Sequence, residues 1–104
     1  MTDVKIKRDG ENLRVQLPSD IDHHSARAMR ERIDGAVAEY MPSRLILDFS
    51  AVSFMDSSGI GLVIGRVENA RKYAATVEIV GASDGVMRLM RVCGIEKISD
   101  LFVK

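Results

Sequence analysis

One short run constrains this chain more than any other: RLILDF, Arg44–Phe49. Pro42 lies before it and Ser50 follows it, and nearly every side chain in it is apolar. A run this short and this apolar reads as a central strand, covered on one face or on both. A central strand needs partners, and the sequence supplies them. Val4 and Ile6 alternate with lysines, and Leu13, Val15 and Leu17 alternate with Arg14 and Gln16. Each has the period of two expected of a half-buried strand, and Asp9-Gly10 between them is a hairpin signal. TVEIV (Thr76–Val80) is the next strand, and Ile95–Ile98 reads as a last short one. The tail SDLFVK is long enough for no more than an added helical turn.

Helical patterns fill the spaces between these strands. From Ser25 the apolar residues Met29, Ile33, Ala36, Val37 and Tyr40 share one face, with Arg30, Glu31 and Arg32 off it. Asp22 or Ser25 is placed to cap this helix, and Pro42 stops it. A second helix runs from about Ser57 to Lys72. Ser83 or Asp84 caps a third, which carries Val86, Leu89, Met90 and Cys93 and ends at Gly94. The order β-β-α-β-α-β-α-β predicts one α/β domain over residues 1–104, with a partly parallel sheet of four to five strands and an antiparallel N-terminal hairpin. Right-handed crossovers put successive helices on one face unless the strand order reverses. Functional loops collect at the carboxyl ends of such strands, which brings Pro18–Ser25 and Ser50–Ser58 together.

The totals narrow the function. A length of 104 residues suits one domain, and fifteen basic side chains balance fifteen acidic ones. Zero net charge argues against a general nucleic-acid or membrane-surface role, since both need a basic excess. Cys93 is the only cysteine, so no internal disulfide forms and a reducing compartment is expected. The N-terminus MTDVKIKRDG has no apolar signal region, and no apolar run reaches the roughly 18 residues of a membrane span. The expectation is a cytoplasmic protein.

The chemistry centres on SFMDSSGIGLVIGR, Ser53–Arg66. At 100° per residue, Ile60, Val63, Ile64 and Val67 form a buried stripe. Leu62 falls nearly opposite, with Arg66 and Asn69, and is expected to be exposed. Gly61 and Gly65 lie one turn apart, and close packing on a neighbour is their plainest explanation. A nucleotide site is the alternative, but Gly59-x-Gly61-x-x-x-Gly65 misses the dinucleotide fingerprint by one residue and starts too far beyond the strand. A serine hydrolase would need a base beside the nucleophile. His23 and His24 are the only histidines, and G-x-S-x-G is absent. Adjacent histidines rarely share a zinc ion, so solvated or capping roles fit them better, and no metal or other cofactor is expected. There remains modification of a hydroxyl at a helix start. Asp56 is an N-cap, and Ser57 and Ser58 follow in the first turn. Capping and turn chemistry alone would explain them. A phosphate there would meet free N–H groups and the positive end of the helix dipole, leaving the fold nearly unchanged while damaging any interface laid over it.

LILDFSAVSFMDSSGIGLVIGR, with IDHHSA upstream and LMRVCGIEKI downstream, resembles the STAS domain, and within it the bacterial anti-sigma-factor antagonists of the SpoIIAA type. The likeness runs from about Val4 to Ile98. It implies a small α/β domain with helices mainly on one face of a mixed sheet, and a binding protein rather than an enzyme. It implies an anti-sigma factor partner that is also a serine kinase. Binding would release a sigma factor, phosphorylation of Ser57 would end binding, and a PP2C-type phosphatase would reset the switch. Asp22 matches a family position in the partner-binding region. The expected docking surface comprises Asp22, His23, His24, Asp56, Ser58, Gly59, Leu62 and Arg66. Two departures stand out. Ser19 occupies a place where the family often has glycine, and the family's C-terminal helix is nearly missing before Lys104, which touches any contact made there but not the switch. A constitutive STAS scaffold, an accessory subunit without a phospho-switch, is the second reading.

Overall fold

The computed structural model describes residues 3–104. Strands β1 (Lys5–Asp9) and β2 (Asn12–Gln16) pair antiparallel, with Gly10 at a φ of 62° in the turn between them. That left-handed conformation is why the turn takes glycine. A dipeptide strand β3 (Asp20–Ile21), helix α1 (His23–Tyr40), β4 (Arg44–Asp48), a second dipeptide strand β5 (Phe54–Met55) and α2 (Ser57–Arg71) follow. The chain closes with β6 (Thr76–Val80), α3 (Asp84–Val92), a 3₁₀ turn at Ile95–Lys97 and β7 (Leu101–Val103). The main sheet has the order β1-β2-β4-β6-β7, parallel from β2 onward. The order never reverses, so right-handed crossovers set all three helices on one face.

The register shows which face that is. Leu13, Leu45, Val77 and Leu101 form one row across the sheet, and Val15, Leu47 and Ile79 form the next. All seven are buried. Each strand's intervening residues point the other way, where no helix lies, and there Arg14, Arg44 and Lys104 stretch over two carboxylates. The pairs are Arg14–Asp48 at 3.0 Å, Arg44–Glu78 at 2.8 Å and Lys104–Glu78 at 3.6 Å. Burial pushes the Asp48 carboxyl up, but hydrogen bonds from Ser50 and Arg14 outweigh it and hold the group below its ordinary value. So β4 is covered by helices on one face and by its neighbours' charged side chains on the other.

The C-terminal segment differs from expectation. Ile95–Ile98 is not a strand: Gly94, at a φ of 74°, ends α3 and turns the chain into the 3₁₀ turn, whose Ile95 is fully buried. The last strand lies within the tail, at Leu101–Val103, and not in a helical turn. Helix α1 ends where expected. Met41 adopts the left-handed conformation at a φ of 45°, and the α conformation is disfavoured for a residue preceding proline. Among the described residues no helix is long and apolar enough to cross a membrane.

Candidate functional site

The two loops predicted to meet are stitched together by backbone hydrogen bonds. Strands β3 and β5 pair in parallel, Asp20 opposite Phe54 and Ile21 opposite Met55. The Ser19 carbonyl accepts from the Ser53 amide at 2.8 Å, the Phe54 amide at 3.1 Å and the Ser53 hydroxyl at 3.3 Å. Ser19 needs no glycine's freedom, since it is not among the positive-φ residues. The next link is the Asp56 amide, donating to the Ile21 carbonyl at 3.3 Å. Each short strand is followed by an N-cap aspartate and a helix: Asp22 starts α1 and Asp56 starts α2. Two helix N-termini, each with a positive dipole end, therefore stand side by side at the carboxyl ends of the strands.

The two caps are built differently. Asp22 accepts the Ser25 amide at 2.9 Å while its own amide donates to the Ser25 hydroxyl at 3.3 Å, a reciprocal capping box. The backbone and side-chain hydrogen bonds from Ser25 hold the Asp22 carboxyl below its ordinary value, and His24 adds to them. The Asp56 carboxylate accepts only the Ser58 amide, at 2.8 Å. The residue that would complete a box is Gly59, which has no side chain, and Met55 explains why. A Cβ on Gly59 would collide with the Met55 Cγ and Sδ. Ser57 is exposed and Ser58 half-buried.

From this edge an open groove of about 890 Å³ runs between α1 and α2. His23, His24 and Ser58 line its upper end, and Arg27, Arg30 and Lys72 lie along its sides. The histidines are exposed, and among the described residues no cluster of three or more His, Cys, Asp or Glu is placed to hold a metal ion. Gly61 and Gly65 also line the groove, and a Cβ on either would meet nothing within 4 Å. Close packing is thus not their reason. Their bareness widens the groove.

Three predicted surface residues are buried. Leu62 and Arg66 are each 4% exposed, and Gly59 is also buried. The helical wheel placed Leu62 and Arg66 opposite the core stripe correctly, but α1 covers that side of α2. Arg66 pairs with Asp34 of α1 at 2.7 Å. Burial pulls the Arg66 guanidinium down and pushes the Asp34 carboxyl up, each partly offset by the other's charge. The pair clamps the two helices together, with Arg66 buried and Asp34 half-buried beside the groove. Asp34 could not have been found from sequence, because its partner lies 32 residues away on another element. Phe54 was also missed. It is 54% exposed on the platform that joins the two loops, and its size beside the motif was the available signal.

The arrangement leaves Ser57 exposed at the start of α2, beside a cap that runs from Asp56 to the Ser58 amide. A family model described as the STAS domain matches residues 3–104. An anti-sigma-B factor antagonist of Bacillus subtilis is 27% identical over 101 residues, 97% of this chain and 91% of that protein. An anti-sigma F factor antagonist of Paenibacillus polymyxa is 28% identical over 88 residues, 85% of this chain and 75% of that protein. The solved structure of the anti-sigma factor antagonist SpoIIAA in its unphosphorylated form superposes with a TM-score of 0.82 at 25% identity. That match covers 97% of this chain and 87% of the other.

Proposed function

This chain belongs to the STAS domain family, and from that premise we propose that it is an anti-sigma factor antagonist switched by phosphate on Ser57. Unmodified, it docks on an anti-sigma factor and so frees a sigma factor for transcription. The docking surface is the paired helix starts: Asp22, His23 and His24 from α1, and Asp56, Ser57 and Ser58 from α2. The partner is itself a serine kinase. The Ser57 Oγ attacks the γ-phosphorus of the kinase's ATP, ADP leaves, and the hydroxyl proton passes to a base on the kinase. A PP2C-type phosphatase hydrolyses the ester and restores the hydroxyl.

The single observation that carries this reading is the exposure of Ser57 on a helix start whose cap does not use its hydroxyl. The physical case for an on/off label follows from charge and space. Phosphate adds a charge of about −1.5 to −2. The positive ends of the two neighbouring helix dipoles offset part of that charge, so the domain tolerates it. The kinase does not. To reach Ser57 it must hold nucleotide phosphates against that oxygen, and a phosphate already there meets like charge in occupied space.

Phosphopeptide mass spectrometry from native cells tests the modification, and titration of the purified anti-sigma factor tests its consequence. Ser57→Ala is expected to bind and to resist modification. Ser57→Asp is expected to bind at least about a hundredfold more weakly, a penalty of about 2.7 kcal/mol. Equal binding by Ser57→Asp and the wild type would defeat the electrostatic switch. Absence of phosphate on Ser57 in every growth condition would favour the constitutive scaffold.

A further inference from the structure

Among the described residues, the large apolar side chains left in water are Tyr40, Met41, Phe54, Val92 and Phe102. Tyr40 already carries the Arg8 guanidinium 5.5 Å over its ring. Phe102 belongs to the helix-free face of the main sheet, at the register position opposite Glu78. Phe54 alone of the five sits on the β3–β5 platform, two residues before the Asp56 cap and three before Ser57.

The platform fixes Phe54 in an outward position. Successive residues of a strand point to opposite sides. Met55 turns inward, packing on the core and over Gly59, so Phe54 turns out. Its backbone is held by the Ser19 carbonyl and its strand partner is the exposed Asp20. An aromatic ring on a backbone already fixed loses little conformational freedom when it docks, which is the character of an interface hot spot. The surroundings give the partner's chemistry. The segments 18–25 and 50–58 contain Asp20, Asp22 and Asp56 and no lysine or arginine. Asp22 and Asp56 are spent on the helix caps, which leaves exposed Asp20, directly across from Phe54, as the charge beside the apolar anchor, and an acid there fits a basic side chain on the partner.

We propose that Phe54 is the apolar anchor of the docking surface, seated in an apolar pocket on the anti-sigma factor with a basic side chain facing Asp20. This rests on the function proposed above. Isothermal titration of the purified anti-sigma factor that the wild-type chain holds, with Phe54→Ala, Phe54→Leu, Phe102→Ala and Ser57→Asp, tests it. Phe54→Ala is expected to bind about 30-fold more weakly with an unchanged melting temperature. Phe54→Leu should regain most of the loss. Phe102 is 51% exposed, nearly as much as Phe54, so Phe102→Ala controls for the generic cost of removing a surface ring and should bind as the wild type does. Full affinity in Phe54→Ala alongside lost affinity in Ser57→Asp would overturn the anchor and leave the switch standing. The reverse pattern would keep the anchor and overturn the switch. Equal losses in both phenylalanine variants would overturn the anchor, because the effect would not belong to its position.

Discussion

The starts of α1 and α2 are the same device built twice: a dipeptide strand, an N-cap aspartate and a helix, paired in parallel so that the two lie in register. They differ in what becomes of the serine. At α1 the hydroxyl of Ser25 is spent on the cap, and the residue is 5% exposed. At α2 the third position is Gly59, covered by Met55, and the serines move to the first two positions, where Ser57 remains exposed. One start is closed by its own hydrogen bonds, and the other holds a hydroxyl outside them. A residue type well suited to capping is thus left outside the cap when the geometry withholds its partner.

The sharpest test of that contrast exchanges charge for hydroxyl at the open start. Ser57→Asp is expected to weaken partner binding at least about a hundredfold while shifting the melting temperature by less than about 4 °C, under 1 kcal/mol for a domain of this size. The closed start should give the opposite readout. Ser25→Ala removes half of the capping box, so thermal unfolding should show a loss of about 1 kcal/mol, roughly 4–8 °C, with partner affinity unchanged in titration. A loss of affinity without a loss of stability at Ser25 would mean that the two starts are not distinguished by capping.

Smaller effects come from the groove between the helices. Gly61→Ala and Gly65→Ala each gain helix propensity without a clash, so calorimetry should record a gain of up to about 1 kcal/mol per site. A destabilised alanine variant would show that the groove is narrower than described. The smallest effect expected is a pH dependence confined to α1. Because hydrogen bonds lower the folded-state value of Asp22, its stabilisation is present above the ordinary carboxylate value of 3.8 and is lost as pH falls through the lower folded value. The stability gap between the wild type and Asp22→Asn should therefore be open at neutral pH and close in acid below 3.8. A gap that held constant through the acid range would locate the cap's contribution elsewhere than in the carboxylate charge.

Much of this was legible in the residues, and the parts that were not share a cause. Alternation marked β1 and β2, a short apolar run marked β4, TVEIV was read as β6, and Asp9-Gly10 marked the hairpin turn. The aspartates before His23 and Ser57 were readable as helix caps. Strands β3 and β5 escaped because two residues cannot display a period. The final strand was placed at Ile95 because an apolar pair there looks like a strand until Gly94 turns the chain. Leu62 and Arg66 were assigned to the surface because periodicity gives angles around one helix and nothing about a second helix beside it. Local patterns of polarity determined the order of elements, the two caps and the hydroxyl of interest, since those depend on side chains within a turn or two of each other. Which face of α2 meets α1, that Asp34 and Arg66 form a clamp, and that Ser25 is closed while Ser57 is open were decided only by tertiary packing. Burial and pairing depend on groups brought together from distant parts of the chain.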